Sequence, residues 1–379
     1  MAVIAAGVIV SLPAGAALIT MTELYPVGTD YSYATGASDG QQVGYAGWGP
    51  DYHAGLWTGT AASFLDLNPA GASYSVANGA GGGQQVGSAN FGGNDHAGLW
   101  TGSAGSFIDL HPAGASYSYA NGASGGQQVG YANFGGNDHA GLWTGTAASF
   151  LDLNPGTASS SQGYGASGGQ QVGEATIGGV RHAALWTGTA DSFVDLNPAP
   201  GDVSAVDGAG DGQQVGYAGV DGSPHATLWT GTADSFIDLN PASADYSEAD
   251  GASGGLQVGR ATIGGVDHAA LWSGTAVSFI DLNTNLGTGY RGSAAVGIWN
   301  DGTTAYVAGY EYDPDWNVNP MAVLWKVTDF EMPDPPGPIL LGGDSGTVDT
   351  PEPSQVVASL VTLLGVGGFV LRQRYRRNA

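Results

Sequence analysis

Histidine recurs through the sequence at a fixed spacing, and imidazole groups commonly bind metal ions or transfer protons. Six histidines lie 43 residues apart, and each precedes a tryptophan by four positions. The pairs are His53 with Trp57, His96 with Trp100, His139 with Trp143, His182 with Trp186, His225 with Trp229, and His268 with Trp272. Equivalent positions of a repeat lie far apart unless they line a channel, whereas metal ligands must converge within about 2.3 Å of one ion. We therefore expect hydrogen bonding of each histidine within its unit and packing of each tryptophan between units.

Carboxylates recur with the same period, just before Leu-Asn-Pro or its variants. They are Asp66, Asp109, Asp152, Asp195, Asp238 and Asp281. A carboxylate there can accept amide protons of the following turn. A calcium loop needs several closely spaced acids, and no unit contains that run. With no cysteine, no isolated acid, base and nucleophile that break the repeat, and no glycine-rich turn leading into a helix, the sequence predicts no catalytic residue, metal site or cofactor.

Polar and aromatic residues that break the repeat are concentrated after the sixth unit. The candidates for glycan binding are Trp299, Tyr310, Glu311, Tyr312, Asp313, Asp315 and Trp316. Aromatic planes beside carboxylates suit sugar rings, which stack through their apolar faces and hydrogen-bond through their hydroxyls. The alternative is that these aromatic side chains pack on the body of the protein.

The repeating unit itself predicts the elements that position these residues. One unit contains four short runs, at 117–120, 127–132, 139–144 and 149–153, separated by Gly, Asn, Asp and Pro. Four strands in 43 residues are typical of a β-propeller blade. A degenerate seventh unit follows at 295–298, 305–310 and 321–325, with a ten-residue insertion expected at 310–319. The prediction is an all-β propeller of seven four-stranded blades over residues 21–330, with a β-solenoid as the alternative.

The segment 22–26, Thr-Glu-Leu-Tyr-Pro, is similar to the strand that ends each regular unit. It lies ahead of the first full unit, where it has no blade of its own. We expect it to complete the seventh blade and close the ring, because an open array would leave exposed strand edges.

The sequence of the repeating units resembles that of the HAF family of extracellular repeats. The His-Ala-x-Leu-Trp phrase, the Asp-Leu strand and the Ala-Val-Gly-Ile-Trp-Asn-Asp-Gly stretch at 295–302 carry this resemblance. The family's phenylalanine is replaced by Gly55, Gly98, Gly141, Ala184, Thr227 and Ala270. The resemblance implies an exported, propeller-like body and brings no established chemistry.

The charge of the chain limits its partners. There are 33 acidic and 8 basic residues, which give a net charge of −25. Nucleic-acid binding requires clustered Lys and Arg, so it is excluded. Exopolysaccharide, cations and cell-surface proteins remain as possible partners.

Both ends of the chain predict export. Residues 1–20 are apolar, contain the small-x-small pattern Ala14-Gly15-Ala16, and are interpreted as a signal peptide, with a buried N-terminal strand as the alternative. Residues 331–350 form a linker rich in proline, glycine and aspartate. The apolar run 356–371 spans about 24 Å as a helix, which is marginal for a transmembrane segment.

The region 351–379 resembles the PEP-CTERM sorting signal of Gram-negative bacteria that make exopolysaccharide. Its parts are Pro351, Glu352 and Pro353, then the apolar run, then Arg372, Arg374, Arg376 and Arg377. The resemblance implies retention at the inner membrane, processing by a sorting peptidase, and release to the cell surface or extracellular matrix. An ordinary C-terminal anchor would also leave the body outside the cytoplasm.

These observations favour a non-enzymatic surface or matrix protein that acts as a structural or adhesive binding module. The alternative is an exported polysaccharide-degrading enzyme with its site at the seventh blade. A third reading, recent duplication under little functional demand, would make the body a spacer.

Overall fold

The protein is a ring of seven antiparallel sheets, each with four strands. This computed structural model describes residues 17–198, 202–283, 286–287, 289–315 and 318–329. The innermost strands of neighbouring sheets contact one another all the way round and surround a central channel. The predicted all-β, seven-bladed propeller is therefore confirmed, and the β-solenoid is not.

The first six blades each follow the order of the chain, from the innermost strand outwards. Blades 1 to 3 consist of β2 (Tyr31–Ser38), β3 (Gln41–Trp48), β4 (Asp51–Trp57) and β5 (Leu65–Asp66); β6 (Ser75–Gly81), β7 (Gln84–Phe91), β8 (Asn94–Trp100) and β9 (Ile108–Asp109); and β10 (Ser118–Ser124), β11 (Gln127–Phe134), β12 (Asn137–Trp143) and β13 (Leu151–Asp152). Blades 4 to 6 consist of β14 (Ser160–Ser167), β15 (Gln170–Ile177), β16 (Val180–Trp186) and β17 (Val194–Asp195); β18 (Ser204–Gly210), β19 (Gln213–Val220), β20 (Ser223–Trp229) and β21 (Ile237–Asp238); and β22 (Tyr246–Ser253), β23 (Leu256–Ile263), β24 (Val266–Trp272) and β25 (Ile280–Asp281).

Blade 7 takes its strands from both ends of the ring. It consists of β26 (Gly292–Asn300), β27 (Ala305–Tyr312), β28 (Met321–Thr328) and, outermost, β1 (Leu18–Glu23). The amide of Leu24 donates to the carbonyl of Ala322 at 2.8 Å, which repeats the bond from Leu67 to Ala54 in blade 1 at 2.9 Å. The segment that resembled an unpartnered outer strand therefore closes the ring, as the sequence predicted.

The strand β1 begins within the segment that was interpreted as a signal peptide. Leu18, Ile19 and Thr20 pair with β28, although the expected signal segment ran to residue 20. The domain boundary expected at residue 20 stays a prediction. The expected cleavage pattern at 14–16 lies outside the described residues and stays a prediction.

The outer part of each of the first six blades also differs from the four short runs read in the sequence. In blade 3 the run 149–153 is a 3-10 turn, Ala147–Ser149, followed by a strand of two residues. The Ser149 hydroxyl donates to the Thr146 carbonyl at 2.6 Å and holds this turn. Phe150 then folds over β12 at Gly141, where an added Cβ would lie 2.2 Å from its ring.

Tight turns join the first two strands of each regular blade. Between β10 and β11 the turn residues Gly125 and Gly126 have φ of 59° and 79°, a left-handed pair that fits a two-residue hairpin. Asp39 and Asp211 occupy the first of these positions in blades 1 and 5, with φ of 51° and 53°.

The core consists of similar clusters between adjacent blades. Trp100 of blade 2 packs against Val43, Leu56 and Leu67 of blade 1, and it is fully buried. Trp325 packs in the same way against blade 6. Each tryptophan thus fills the gap between two sheets, where large aromatic side chains contribute most burial.

Blade 7 absorbs its extra residues in more than one place. The register with the preceding blade shifts before β26, again in the β26–β27 turn, and again in the β27–β28 loop. The expectation of one insertion confined to 310–319 is therefore corrected, and each connection is lengthened only slightly.

The predicted linker 331–350 and sorting signal 351–379, with its helix 356–371, lie outside the described residues. Within the described ranges no helix is long and apolar enough to span a membrane.

Candidate functional site

Each repeated histidine lies on the third strand of its own blade. His53 Nδ1 is 2.7 Å from Asp66 Oδ2, and the five equivalent pairs have distances of 2.7 to 2.9 Å. Asp66 Oδ1 also accepts the amide of Asn68 at 2.7 Å, which stabilises the turn. Within the described residues, no group of three His, Cys, Asp or Glu side chains could hold a metal ion.

These pairs continue into a hydrogen-bonded link between blades. The Ser75 hydroxyl of blade 2 donates to Asn68 Oδ1 at 2.7 Å and accepts the amide of Ala54 at 3.0 Å. In the next blade His111 replaces the asparagine and stacks on His96, with ring centroids 4.1 Å apart. Burial and the neighbouring His96 lower the pKa of His111. These hydrogen bonds therefore stabilise the contact between neighbouring blades.

The seven candidate residues of the seventh unit do not form one cluster. Trp299 pairs with Tyr306 at one end of β26, whereas Tyr312 pairs with Gly292 at the other. Tyr306 and Tyr312 are six residues apart on β27, or about 20 Å along the strand. Trp316 lies outside the described residues. These aromatic residues were expected to form one site because they are close in the sequence. The β26–β27 hairpin instead separates Trp299 from Tyr310 and Tyr312.

The acidic side chains of the seventh unit bind groups near their own blade. Glu311 is buried, and its Oε2 accepts the Gly287 amide at 2.9 Å, whereas its Oε1 has no hydrogen-bond partner among the described residues. Burial raises the pKa of Glu311. Arg291 binds both Asp313, at 3.3 Å, and Asp315. These carboxylates therefore hold the connection to β26 and the β27–β28 loop in place.

Several positions that vary between units lie near the upper face, which is the end of the ring where the innermost strands begin. Two columns of the repeat face each other there across the first two strands of each blade. One column contains Tyr33, Val76, Tyr119, Gln162, Ala205, Glu248 and Ala294, and its partner contains Tyr45, Ser88, Tyr131, Glu174, Tyr217, Arg260 and Tyr310. The sequence carries this signal as variable positions within aligned units. It is invisible when only the non-repeating segment is read.

A tyrosine groove lies on the upper face at blades 7, 1 and 2. It is lined by Tyr31, Tyr33, Tyr45 and Tyr52 with Thr35, Val76, Asn78, Asn319 and Pro320, and it encloses about 680 Å³. Tyr33 and Tyr45 stack with ring centroids 4.9 Å apart and an interplanar angle of 22°. Tyr310 of blade 7 packs edge-on against Tyr33 at 4.9 Å. Among the candidates that the structure describes, Tyr310 is thus the one that contacts this groove.

The tyrosine hydroxyls of the groove differ from those nearby. Within the described part of the chain, the hydroxyls of Tyr31, Tyr33 and Tyr45 have no hydrogen-bond partner. In contrast, Tyr74 and Tyr119 both donate to Asp95. Burial, with a smaller contribution from Tyr310, raises the pKa of Tyr33 to about 12, so its phenol is neutral at physiological pH. The groove therefore offers neutral donors and aromatic planes.

A ring of bulged residues lines the channel next to the groove. Each innermost strand shifts register by one residue, and the extra residues are Thr35, Asn78, Asn121, Tyr164, Asp207, Asp250 and Val296. Together they border a cavity of about 370 Å³. Asn78 donates to Asn121 Oδ1 at 3.1 Å, so part of this ring is hydrogen-bonded from blade to blade.

The far side of the upper face is charged. Arg260 pairs with Glu248 at 2.6 Å, and Arg181 pairs with Glu174 at 3.4 Å. Asp207 lies in the channel wall between these blades. Burial and the neighbouring Asp250 raise its pKa well above the usual carboxyl range.

The geometry defines a seven-bladed β-propeller with a tyrosine groove and a polar channel at one face. No protein-family model and no curated protein matches the sequence. Among solved structures, puromycin hydrolase is similar with 12% identity and a TM-score of 0.51, over 76% of this chain and 53% of that one. Oligogalacturonate lyase from Vibrio parahaemolyticus is similar with 8% identity and a TM-score of 0.50, over 80% and 93%. The chain thus spans about half the length of puromycin hydrolase, and these likenesses show the fold alone.

Proposed function

We propose that this protein is an exported, non-enzymatic binding module of the cell surface or extracellular matrix, and that its upper face binds a glycan in the tyrosine groove. The observation that carries the proposal is the stacked pair Tyr33 and Tyr45, with hydroxyls that no described residue engages. Aromatic planes bind the apolar faces of sugar rings, and free hydroxyls bind their polar edges.

The chemistry of the groove favours an uncharged ligand. Its side chains are tyrosines, Thr35, Asn78, Asn319 and two apolar residues, and none carries a charge at neutral pH. The chain as a whole has a net charge of −25, which repels polyanions. A neutral polysaccharide therefore fits better than an acidic one.

The cellular location proposed here rests on the ends of the sequence. The apolar N-terminal segment, and the PEP-CTERM-like region with its Pro-Glu-Pro and arginine cluster, favour export and processing by a sorting peptidase at the inner membrane. A chain released there would meet exopolysaccharide and other cell-surface proteins.

The enzyme alternative has less support from the seventh blade. Glu311 binds a backbone amide, and Asp313 and Asp315 share Arg291, so these carboxylates have structural partners. A catalytic pair would need a carboxyl group beside the substrate cavity and a second one placed for proton transfer. Incubation with matrix polysaccharides, followed by assay for new reducing ends or unsaturated sugars, tests this alternative. Turnover that is lost in Glu311→Gln would favour it.

Binding is tested with the purified full chain on an array of neutral and acidic bacterial polysaccharides. We expect saturable binding to a neutral polymer, and at least a tenfold weaker affinity in the double variant Tyr33→Ala, Tyr45→Ala. That variant lacks both aromatic rings, and each ring that stacks on a sugar contributes about 1 kcal/mol or more to binding.

The repeat provides a matched control. Tyr119 and Tyr131 occupy the same two columns in blade 3, with ring centroids 5.2 Å apart, but Tyr119 is held by Asp95. The double variant Tyr119→Ala, Tyr131→Ala should keep full affinity. Equal losses in both variants, or no binding to any polymer, would count against the groove as a glycan site.

A further inference from the structure

We propose that the channel carries a second site, formed by Asp207 and Asp250, that binds the primary ammonium group of a small organic ligand. This site lies on the far side of the upper face from the tyrosine groove. It does not depend on glycan binding there.

The first argument is the state of Asp207 itself. Its Oδ2 atom is buried and has no hydrogen-bond partner within the described residues. A buried carboxyl oxygen without a donor is destabilising by about 1–3 kcal/mol. The same residue borders the channel cavity of about 370 Å³, so a ligand in that cavity would lie beside Asp207.

The second argument is charge balance around the channel. The cations on this side, Arg260 and Arg181, are paired with Glu248 and Glu174. Asp250 borders the same cavity one blade further on. Two carboxyl groups therefore border one cavity, and the nearby cation Arg260 is already paired with Glu248. Asp250 disfavours ionisation of Asp207.

The third argument concerns which cation fits. A divalent metal ion would need more ligands, and the described residues contain no group of three acidic or imidazole side chains that could bind one. A primary ammonium group carries three donors and a single charge. It can bond both carboxylates and the channel hydrogen-bond acceptors, such as the side-chain oxygen of Asn121.

Ligand binding at this site should be coupled to proton release. Glu248, Glu174 and Asp250 oppose ionisation of Asp207, and Arg260 favours it. The phenols of Tyr164, Tyr217, Tyr246 and Tyr310 also face this region, and burial raises the pKa of each. Because the pKa values of Asp207 and Asp250 are raised, an ammonium ligand that selects the ionised forms displaces protons. Its affinity should rise with pH until both carboxyls are ionised.

The test is titration calorimetry of the full chain with putrescine, in two buffers of different ionisation enthalpy. We expect saturable binding with net proton release, and no binding of 1,4-butanediol, which has the same chain without charge. Glucosamine and N-acetylglucosamine form a second matched pair. Binding of glucosamine only would identify an amino sugar as the source of the ammonium group, and binding of putrescine only would identify a polyamine.

Asp207→Asn should weaken putrescine binding at least tenfold, because the substitution keeps the shape and removes the charge. Asp245→Asn removes the same charge from an exposed position of blade 6 and should leave the affinity unchanged. Equal effects of the two variants would reduce the site to general electrostatic attraction and overturn the proposal. Calcium that competes with putrescine at one ion per chain would overturn it as well, because the pair would then be a metal site.

Discussion

The interior columns of the repeat and its upper-face columns lie on the same strands. The interior columns keep one residue type from blade to blade, whereas the upper-face columns change theirs. Valine occupies one packing column in all six regular blades, from Val43 to Val258, and is always fully buried. In the facing columns at the upper end, Tyr33 and Tyr45 of blade 1 correspond to Glu248 and Arg260 of blade 6. A packing side chain meets the same neighbours in every blade, whereas the residues beside an upper-face side chain differ from blade to blade. One scaffold can therefore carry an uncharged groove on one side and a charged channel wall on the other.

The largest effect is expected from a packing column. Trp143 is fully buried between blades 2 and 3, and Trp143→Ala should lower the free energy of unfolding by about 4 kcal/mol. Urea unfolding followed by circular dichroism measures this loss. Trp48→Ala is the control, since Trp48 is 36% exposed and should cost about 1 kcal/mol or less. Similar losses of unfolding free energy in both variants would contradict the expected difference between buried and exposed tryptophans.

An intermediate effect is expected from the glutamine ladder, which connects blades 1 to 6 near the lower end of the ring. Gln128 donates to Gln84 of the preceding blade at 2.9 Å and accepts the Gly145 amide at 2.8 Å. Gln128→Ala should lower the free energy of unfolding by about 2 kcal/mol, because the Gly145 amide loses its acceptor. Gln84→Ala removes one acceptor of the ladder and should have a smaller effect in the same urea titration.

The smallest effect is expected at the upper face, and it has the opposite sign. The pKa of Asp207 is higher in the folded chain than in the unfolded chain. Between these two values the folded state binds more protons, so this residue makes stability fall as pH rises above about 4. Asp207→Asn should therefore raise the melting temperature at pH 8 by about 2 °C or more and flatten its pH dependence. A melting temperature that drops at pH 8 would contradict this.

The fold was predictable because the repeat supplies the same local signal six times. The 43-residue period, the turn glycines and the segment before the first unit were enough to predict seven blades and their closure. The short outer strands were not predictable in detail. The 3-10 turn at Ala147–Ser149 depends on Phe150 covering Gly141, which is a tertiary contact.

The candidate site was less predictable, because nearness in sequence and nearness in space differ in this fold. Trp299 and Tyr310 are close in the chain, but the β26–β27 hairpin sends them towards opposite ends of the ring. Asp207 and Asp250 are 43 residues apart and border one cavity. Only the ring geometry brings equivalent positions of successive units together.

The closure of blade 7 also governs how the chain can be made. β1 precedes every other strand, yet its partner β28 is the last strand of the ring. During synthesis, the first strand must stay without its partner until some 300 residues have followed. The contact between β1 and β28 is therefore the last that can form, and we expect a pulling force or a protease to open the ring there first.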